Sequence, residues 1–239
     1  MYLLHLTRLS LTRSCGGHPC SGRSCSVILG MILGVLVVCM SLVFAPISAH
    51  AQPFQLLNDT DSDGITNPLD GVYFSSSAWG DYDNDGDLDL VLTGRTGGDV
   101  SDRTATIYRN DGPSGFTNIG AGLTGVSSGS SAWGDYDNDG DLDLVVTGID
   151  AGSNLTATIY RNDGPSGFTD IDAGLTGVSD GSSAWGDYDN DGDLDLIVTG
   201  FDGSLTANRT ATIYRNDGPS GFTDIDAGLT GVSNGSSTW

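Results

Sequence analysis

The chain has 239 residues and a formal net charge of -22 at pH 7; Asp is the only residue type among its 31 acids and Arg the only type among its nine bases. Nucleic acids and anionic membranes require Lys and Arg to neutralise their phosphates, so this composition argues against both as partners. Cations are the natural complement of a chain this acidic.

Residues 1–51 differ in composition from the rest of the chain. Three arginines precede an apolar run from Val27 to Ala45, and Ala49-His50-Ala51 follows it. This order predicts an export signal that is cleaved after residue 51. The alternative is an uncleaved anchor, because the apolar run approaches the length of a membrane span. Either form predicts a secreted, periplasmic or cell-surface protein with no membrane contact beyond this segment.

Residues 52–71 are predicted to form an N-terminal strand and an acidic insertion. Phe54-Gln55-Leu56-Leu57 resembles the last strand of the repeats that follow. Asn67 stands where a calcium-binding loop beginning at residue 59 would need its last ligand. We therefore interpret the insertion as an acidic surface turn, with a fourth, weaker ion site as the alternative. Three aspartates would form that site: Asp59, Asp61 and Asp63.

Residues 72–239 are repetitive. Four tryptophans recur at intervals of 54, 52 and 54 residues: Trp79, Trp133, Trp185 and Trp239. A period near 50 is typical of propellers and other repeat arrays. The repeats extend over about 72–125, 126–177 and 178–231, and a partial copy occupies 232–239.

The second repeat shows the strands that each copy is predicted to contain. The first strand, Ser130–Tyr136, leads into an Asp-rich loop, and the second, Leu142–Thr147, leads out of it. The third strand, Thr156–Arg161, ends at Asn162-Asp163-Gly164-Pro165, which predicts a turn. Phe168–Ile171 is the fourth. Four strands in a repeat of this length predict an all-β fold, a β-propeller of four-stranded blades.

Two further features of the repeats bear on architecture. Differences in length fall between the second and third strands, which predicts variable surface loops at Arg95–Arg103, Ile149–Leu155 and Phe201–Arg209.

Three complete blades are fewer than the four to eight that usually close a ring. We therefore expect a fragment of a larger propeller, for example a seven-bladed one; the alternative is a short repeat protein that closes by oligomerising.

The Asp-rich loop is identical in all three copies and occupies residues 81–89, 135–143 and 187–195. We number its positions 1 to 9: Asp stands at 1, 3, 5, 7 and 9, and Gly at 6. So many carboxylates repel one another unless a cation lies among them, so a hard divalent ion is the first hypothesis. Solvated turns without an ion are the alternative. An EF-hand is excluded because position 12 lies in a strand instead of supplying a Glu.

These residues resemble the FG-GAP/VCBS repeat family, whose β-propeller blades also occur in integrin α-subunits and carry an Asp-x-Asp-x-Asp-Gly-x-x-Asp loop. The resemblance implies about one calcium ion per repeat, three in this chain, held by side chains at positions 1, 3, 5 and 9 and by the backbone carbonyl at position 7. The implied side-chain ligands are Asp81, Asp83, Asp85, Asp89, Asp135, Asp137, Asp139, Asp143, Asp187, Asp189, Asp191 and Asp195. The implied backbone ligands are Asp87, Asp141 and Asp193, whose carboxylates would add only charge. We expect each ion to stabilise its blade and to take no direct part in function.

Other repeated residues are expected to be structural. One Trp per blade predicts core packing, with a carbohydrate-stacking platform as the alternative for Trp79, Trp133 and Trp185. We expect packed tyrosines at Tyr108, Tyr160 and Tyr214. Pairing with nearby Asp is expected for Arg109, Arg161 and Arg215.

Catalysis is not expected. Residues 52–239 contain no His, Cys, Glu or Lys, which excludes Ser-His-Asp, Cys-His and zinc-hydrolase sites within them. We therefore expect an exported, calcium-binding, non-enzymatic module for adhesion or for binding an extracellular protein or glycan through the variable loops. The alternatives are an accessory domain of a secreted polysaccharide-degrading enzyme and a structural spacer in a large surface protein.

Overall fold

A computed structural model of the protein describes residues 69–203 and 209–239. The predicted export segment, the strand at Phe54 and the acidic turn with Asp59, Asp61 and Asp63 lie outside the described residues. The described part consists of strands, turns and three short 3₁₀ helices. It includes no helix with the length and hydropathy of a membrane span.

Each repeat forms one blade of antiparallel strands. The first blade contains β1 (Tyr73–Gly80), β2 (Asp89–Arg95), β3 (Arg103–Asn110) and β4 (Phe116–Asn118). The second contains β5 (Val126–Ser127), β6 (Ser131–Gly134), β7 (Asp143–Asp150), β8 (Leu155–Asn162) and β9 (Phe168–Asp170). The third contains β10 (Ser179–Gly186), β11 (Asp195–Phe201), β12 (Thr210–Asn216) and β13 (Phe222–Asp224). A 3₁₀ helix precedes each fourth strand: Gly112–Ser114, Gly164–Ser166 and Gly218–Ser220.

The strands of each blade pair in chain order. In the first blade β1 pairs with β2, β2 with β3, and β3 with β4, as expected for segments with aromatic or β-branched residues that turns separate. The first strand of the second blade is divided into β5 and β6, and β5 pairs with β7 and also with β3. One continuous sheet therefore joins the first two blades.

Two of the three hydrophobic cores in the described residues lie between blades. In β7, Leu144 and Val146 pack into a core shared with Val91 and Ile107 of the first blade. Val145, between them, belongs to a second core shared with the third blade. A strand buried on both faces explains why its sequence is apolar without alternation. A third, smaller cluster around Leu90 lies within the first blade.

Backbone contacts repeat from blade to blade as well. The Ser128 N–H donates to the Phe74 carbonyl at 2.8 Å, and the Asp180 N–H donates to the Ser128 carbonyl at 2.6 Å. These contacts connect the first strands of successive blades. The prediction of an all-β fold built from four-stranded propeller blades is confirmed, and the size of a complete ring stays a prediction.

Candidate metal centres in the Asp loops

Each Asp loop is closed by its own carboxylates. The position 1 carboxylate accepts the backbone N–H groups of positions 5 and 6 at 3.0 or 3.1 Å in all three loops. The position 5 carboxylate accepts the N–H of position 7 at 2.9 or 3.0 Å. Gly at position 6 has φ between 94° and 99°, a conformation that L side chains rarely adopt. The loop therefore turns sharply where the sequence places its glycine.

The position 9 aspartate anchors the loop to the third strand of its blade. Asp143 is fully buried; one carboxylate oxygen accepts the Tyr136 N–H at 3.0 Å, and the other accepts the Asn162 N–H at 2.8 Å. Asp89 and Asp195 have the equivalent contacts. Burial raises the pKa of Asp143 to about 7, opposed by these two N–H donors. Within the described residues no arginine forms an ion pair with this buried carboxylate.

Carboxylate oxygens converge in every loop. Oxygen atoms from three aspartates lie within 4.8 Å of one another, and positions 1 and 3 belong to this group in all three loops. The third member is Asp85 in the first loop, Asp143 in the second and Asp195 in the third. Burial, followed by repulsion from position 5, raises the pKa at position 3, at Asp83, Asp137 and Asp189.

This donor set fits calcium. Calcium binds carboxylate and carbonyl oxygens, whereas zinc favours sulfur and nitrogen. A divalent cation would offset both the repulsion and the desolvation that raise these pKa values. The residues at positions 1, 3, 5 and 9 would hold it; the complete ligand set proposed from sequence, including the position 7 carbonyls, stays a prediction.

The position 7 carboxylates have a function that sequence reasoning missed. Asn84, at position 4 of the first loop, donates its side-chain N–H to the Asp141 carboxylate at 2.8 Å and to the Gly140 carbonyl at 3.3 Å. Asn138 makes the same contacts with Asp193, at 2.8 Å, and with the Gly192 carbonyl, at 3.4 Å. The expectation that these carboxylates add only charge is therefore wrong for Asp141 and Asp193. Their contact is with the preceding blade, which a single repeat cannot reveal.

A second missed residue is the asparagine that ends each third strand. Asn162 is 2% exposed, and its side chain donates to the Tyr82 carbonyl of the preceding loop at 2.8 Å. Asn216 donates in the same way to the Tyr136 carbonyl at 2.7 Å. The signal for it in the sequence is the repetition of Asn at this position, where the sequence predicts a turn.

The tryptophans pack between blades. The indole N–H of Trp133 donates to the Ala78 carbonyl at 3.2 Å, and its ring stacks on Tyr82 of the first blade with centroids 6.3 Å apart. Trp185 repeats both contacts with the second blade. Core packing is confirmed for these two, whereas Trp79 is 53% exposed and contacts Phe116 of its own blade, with ring centroids 6.1 Å apart. The expectation of core packing is wrong for Trp79.

The predicted ion pairs of the repeated Arg residues and the predicted packing of the repeated Tyr residues are confirmed. Arg109, Arg161 and Arg215 each donate to the aspartate two residues later, at 2.7 or 2.8 Å. Tyr108, Tyr160 and Tyr214 are buried. These ion pairs are surface contacts and are worth little stability individually.

The loops between second and third strands are on the surface. In the first blade this loop includes exposed Val100, and Arg103 at its end donates to the Asp150 carbonyl of the next blade. In the second blade Asp150 accepts the Asn154 N–H at 2.8 Å. Residues 204–208 of the third loop lie outside the described residues. The two loops described in full differ in length and in side chains, as the sequence predicts.

Comparisons with known proteins agree with this architecture. The model of the FG-GAP-like repeat family matches residues 81–146 and again residues 135–198, so that each match begins at position 1 of an Asp loop. The chain is also similar to the lectin SfL-1 of Solieria filiformis, with 31% identity over 192 residues; the coverage is 64% of this chain and 71% of that lectin.

Proposed function

Because the chain belongs to the FG-GAP-like repeat family, we propose that it is a non-enzymatic, calcium-stabilised β-propeller module that binds a glycan outside the cell. The observation that favours a glycan over a protein ligand is the similarity to the lectin SfL-1. Export rests on the sequence of residues 1–51 alone.

Calcium has a structural function in this proposal. The carboxylates that would bind it lie at the hairpin between the first and second strands, and position 9 is buried against the third strand. An ion at this place would connect the hairpin to the third strand of the same blade through the position 9 carboxylate. Extracellular calcium modules bind with dissociation constants of roughly 10⁻⁴ to 10⁻³ M, which suits a permanent ion outside the cell.

The glycan would bind at the variable loops. These loops differ between blades while the Asp loops are identical, and recognition residues are commonly placed on loops that a rigid scaffold positions. The loop of the first blade presents Asp99, Val100 and Asp102 on or near the surface. Carboxylate oxygens beside an apolar contact are suitable partners for sugar hydroxyls.

Two variants of the full chain test the glycan site and the metal sites independently. In a glycan array with calcium present, the native protein should bind, and exchanging residues 96–102 for residues 150–154 of the second blade should abolish or redirect binding. The Asp137→Ala/Asp139→Ala variant should bind two calcium ions instead of three by calorimetry, melt at a lower temperature and retain glycan binding below that temperature. An array without any glycan hit would refute the ligand class, and a melting temperature insensitive to chelation would refute the metal assignment.

A further inference from the structure

Adjacent Asp loops are connected to each other by two separate sets of hydrogen bonds. The first is the contact of Asn84 with Gly140 and Asp141, which joins position 4 of one loop to positions 6 and 7 of the next. The second passes through Asn162. The same pattern, with nearly the same distances, joins the second loop to the third.

The second connection touches both loops through one residue. The side chain of Asn162 donates to the Tyr82 carbonyl at position 2 of the first loop, at 2.8 Å. Its backbone N–H donates to Asp143 at position 9 of the second loop, also at 2.8 Å. Position 9 is one of the carboxylates that would bind the cation, so a displacement of the first loop reaches the second site through a single buried side chain.

The first connection acts on the backbone of the next loop. Asn84 itself is held with φ of 59° inside the turn that positions 1, 5 and 6 close. It contacts the segment of the second loop whose position 7 N–H donates to the position 5 carboxylate of the same loop, at 2.9 Å. The segment at positions 6 and 7 is therefore fixed jointly by its own loop and by the preceding one.

From this arrangement we propose that the Asp loops bind calcium cooperatively, with Asn84 and Asn138 as positioning residues for the site of the next blade. The proposal rests on the metal sites proposed above. A cation that orders one loop also orders its asparagine, so the next loop requires less ordering when its own cation binds. By linkage the effect is reciprocal: a cation in the second loop strengthens binding in the first.

The chain offers a matched control for each contact. Asn190 occupies position 4 of the third loop with φ of 60°, and its side chain has no hydrogen-bond partner among the described residues. Replacing it causes the same local change in the loop without breaking a contact between loops. Asp87, at position 7 of the first loop, is the corresponding control for Asp141, because no described loop precedes it.

Titration of the full chain with calcium, measured by calorimetry, tests the proposal. A parallel titration with terbium can be measured by luminescence, which the position 2 tyrosines can sensitise. Native protein should bind three ions with a Hill coefficient above 1. Asn84→Gly and Asn138→Gly should each reduce this coefficient and weaken binding about three- to tenfold at the adjoining loops, whereas Asn190→Gly should leave both unchanged. Asp141→Asn should weaken the coupling and Asp87→Asn should not.

The possible failures are distinguishable. Three ions bound with equal, independent affinities in native protein and in Asn84→Gly would overturn the coupling and leave the metal sites standing. Absence of calcium binding would overturn both. A lower melting temperature in Asn84→Gly with an unchanged Hill coefficient would show that the contact only holds the blades together, and it would also count against the proposal.

Discussion

Gly134 has no side chain because the tryptophan of the next blade occupies the space. A β-carbon built on Gly134 would lie 2.6 Å from Trp185 Cδ1, and one on Gly80 would lie 2.8 Å from Trp133. Real β-carbons do not approach carbon atoms so closely, so either the ring or the strand would have to move. The Gly that follows each Trp in the repeat is therefore explained by packing between blades.

We expect Gly134→Ala to lower the free energy of unfolding by about 1–3 kcal/mol, since overpacking a well-filled contact has a cost of this size. Urea denaturation in calcium measures the change. Gly98→Ala is the control, because a β-carbon at Gly98 has nothing within 4 Å. Equal stability of the two variants would contradict the packing explanation.

Trp133 contributes an indole N–H in addition to its ring. Replacing it with Phe retains most of the aromatic surface but leaves the Ala78 carbonyl without the donor that lies 3.2 Å away. We expect Trp133→Phe to cost about 1–2 kcal/mol. Trp79→Phe should be nearly neutral, because the Trp79 indole has no hydrogen-bond partner in the part of the chain that the structure describes. A comparison of thermal melts would show whether the two variants differ as expected.

The strands themselves could be predicted from the sequence, whereas the contacts between blades could not. Period, turn residues and β-branched runs placed the four strands of the second repeat within a few residues of β6 to β9. The same patterns gave no sign of β5, because its pairing with β3 depends on how the blades stack. Asn162 was missed for this reason: its partner Tyr82 is 80 residues away in sequence.

The candidate metal sites could also be predicted only in part from the sequence. The alternating aspartates predicted where carboxylates converge, since a loop of nine residues with Gly at position 6 must bring them together. The sequence could not show that Asp141 binds Asn84, because identical repeats conceal which copy contacts which. Likewise, Trp79 and Trp133 stand in the same local sequence, Ser-Ala-Trp-Gly, yet Trp79 is exposed and Trp133 is packed.

Asn162 allows the contribution of one contact between blades to be measured. Its counterpart Asn110 keeps the bonds within its own blade, to the Leu88 carbonyl at 3.1 Å and from the Gly112 N–H at 3.0 Å. We expect Asn162→Ala to cost about 2–4 kcal/mol, because it also leaves the partly buried Tyr82 carbonyl unpaired, and Asn110→Ala to cost less by about 1–2 kcal/mol. Equilibrium denaturation of both variants in calcium provides the difference; equal losses would mean that the bond to Tyr82 adds nothing.

The molecule as a whole consists of blades that are stable through their neighbours. One core joins the first and second blades around Val91 and Leu144, and another joins the second and third around Ile159 and Leu196. Repeat proteins of this kind gain stability from interfaces between units and can open at one interface while another stays closed. The second blade contributes to both cores and should be the last to open.

Hydrogen exchange can measure the stability of each interface between blades separately. Trp185→Ala removes a side chain from the core between the second and third blades, and a loss of about 3 kcal/mol should accelerate amide exchange roughly a hundredfold in β11 and β12. The amides of β2 and β3 should keep their native protection. Trp133→Ala should have the opposite pattern, because its ring packs into the core with the first blade. Uniform acceleration of exchange along all the strands in both variants would instead mean that the three blades unfold as one cooperative unit. That result would contradict separate opening of the two interfaces.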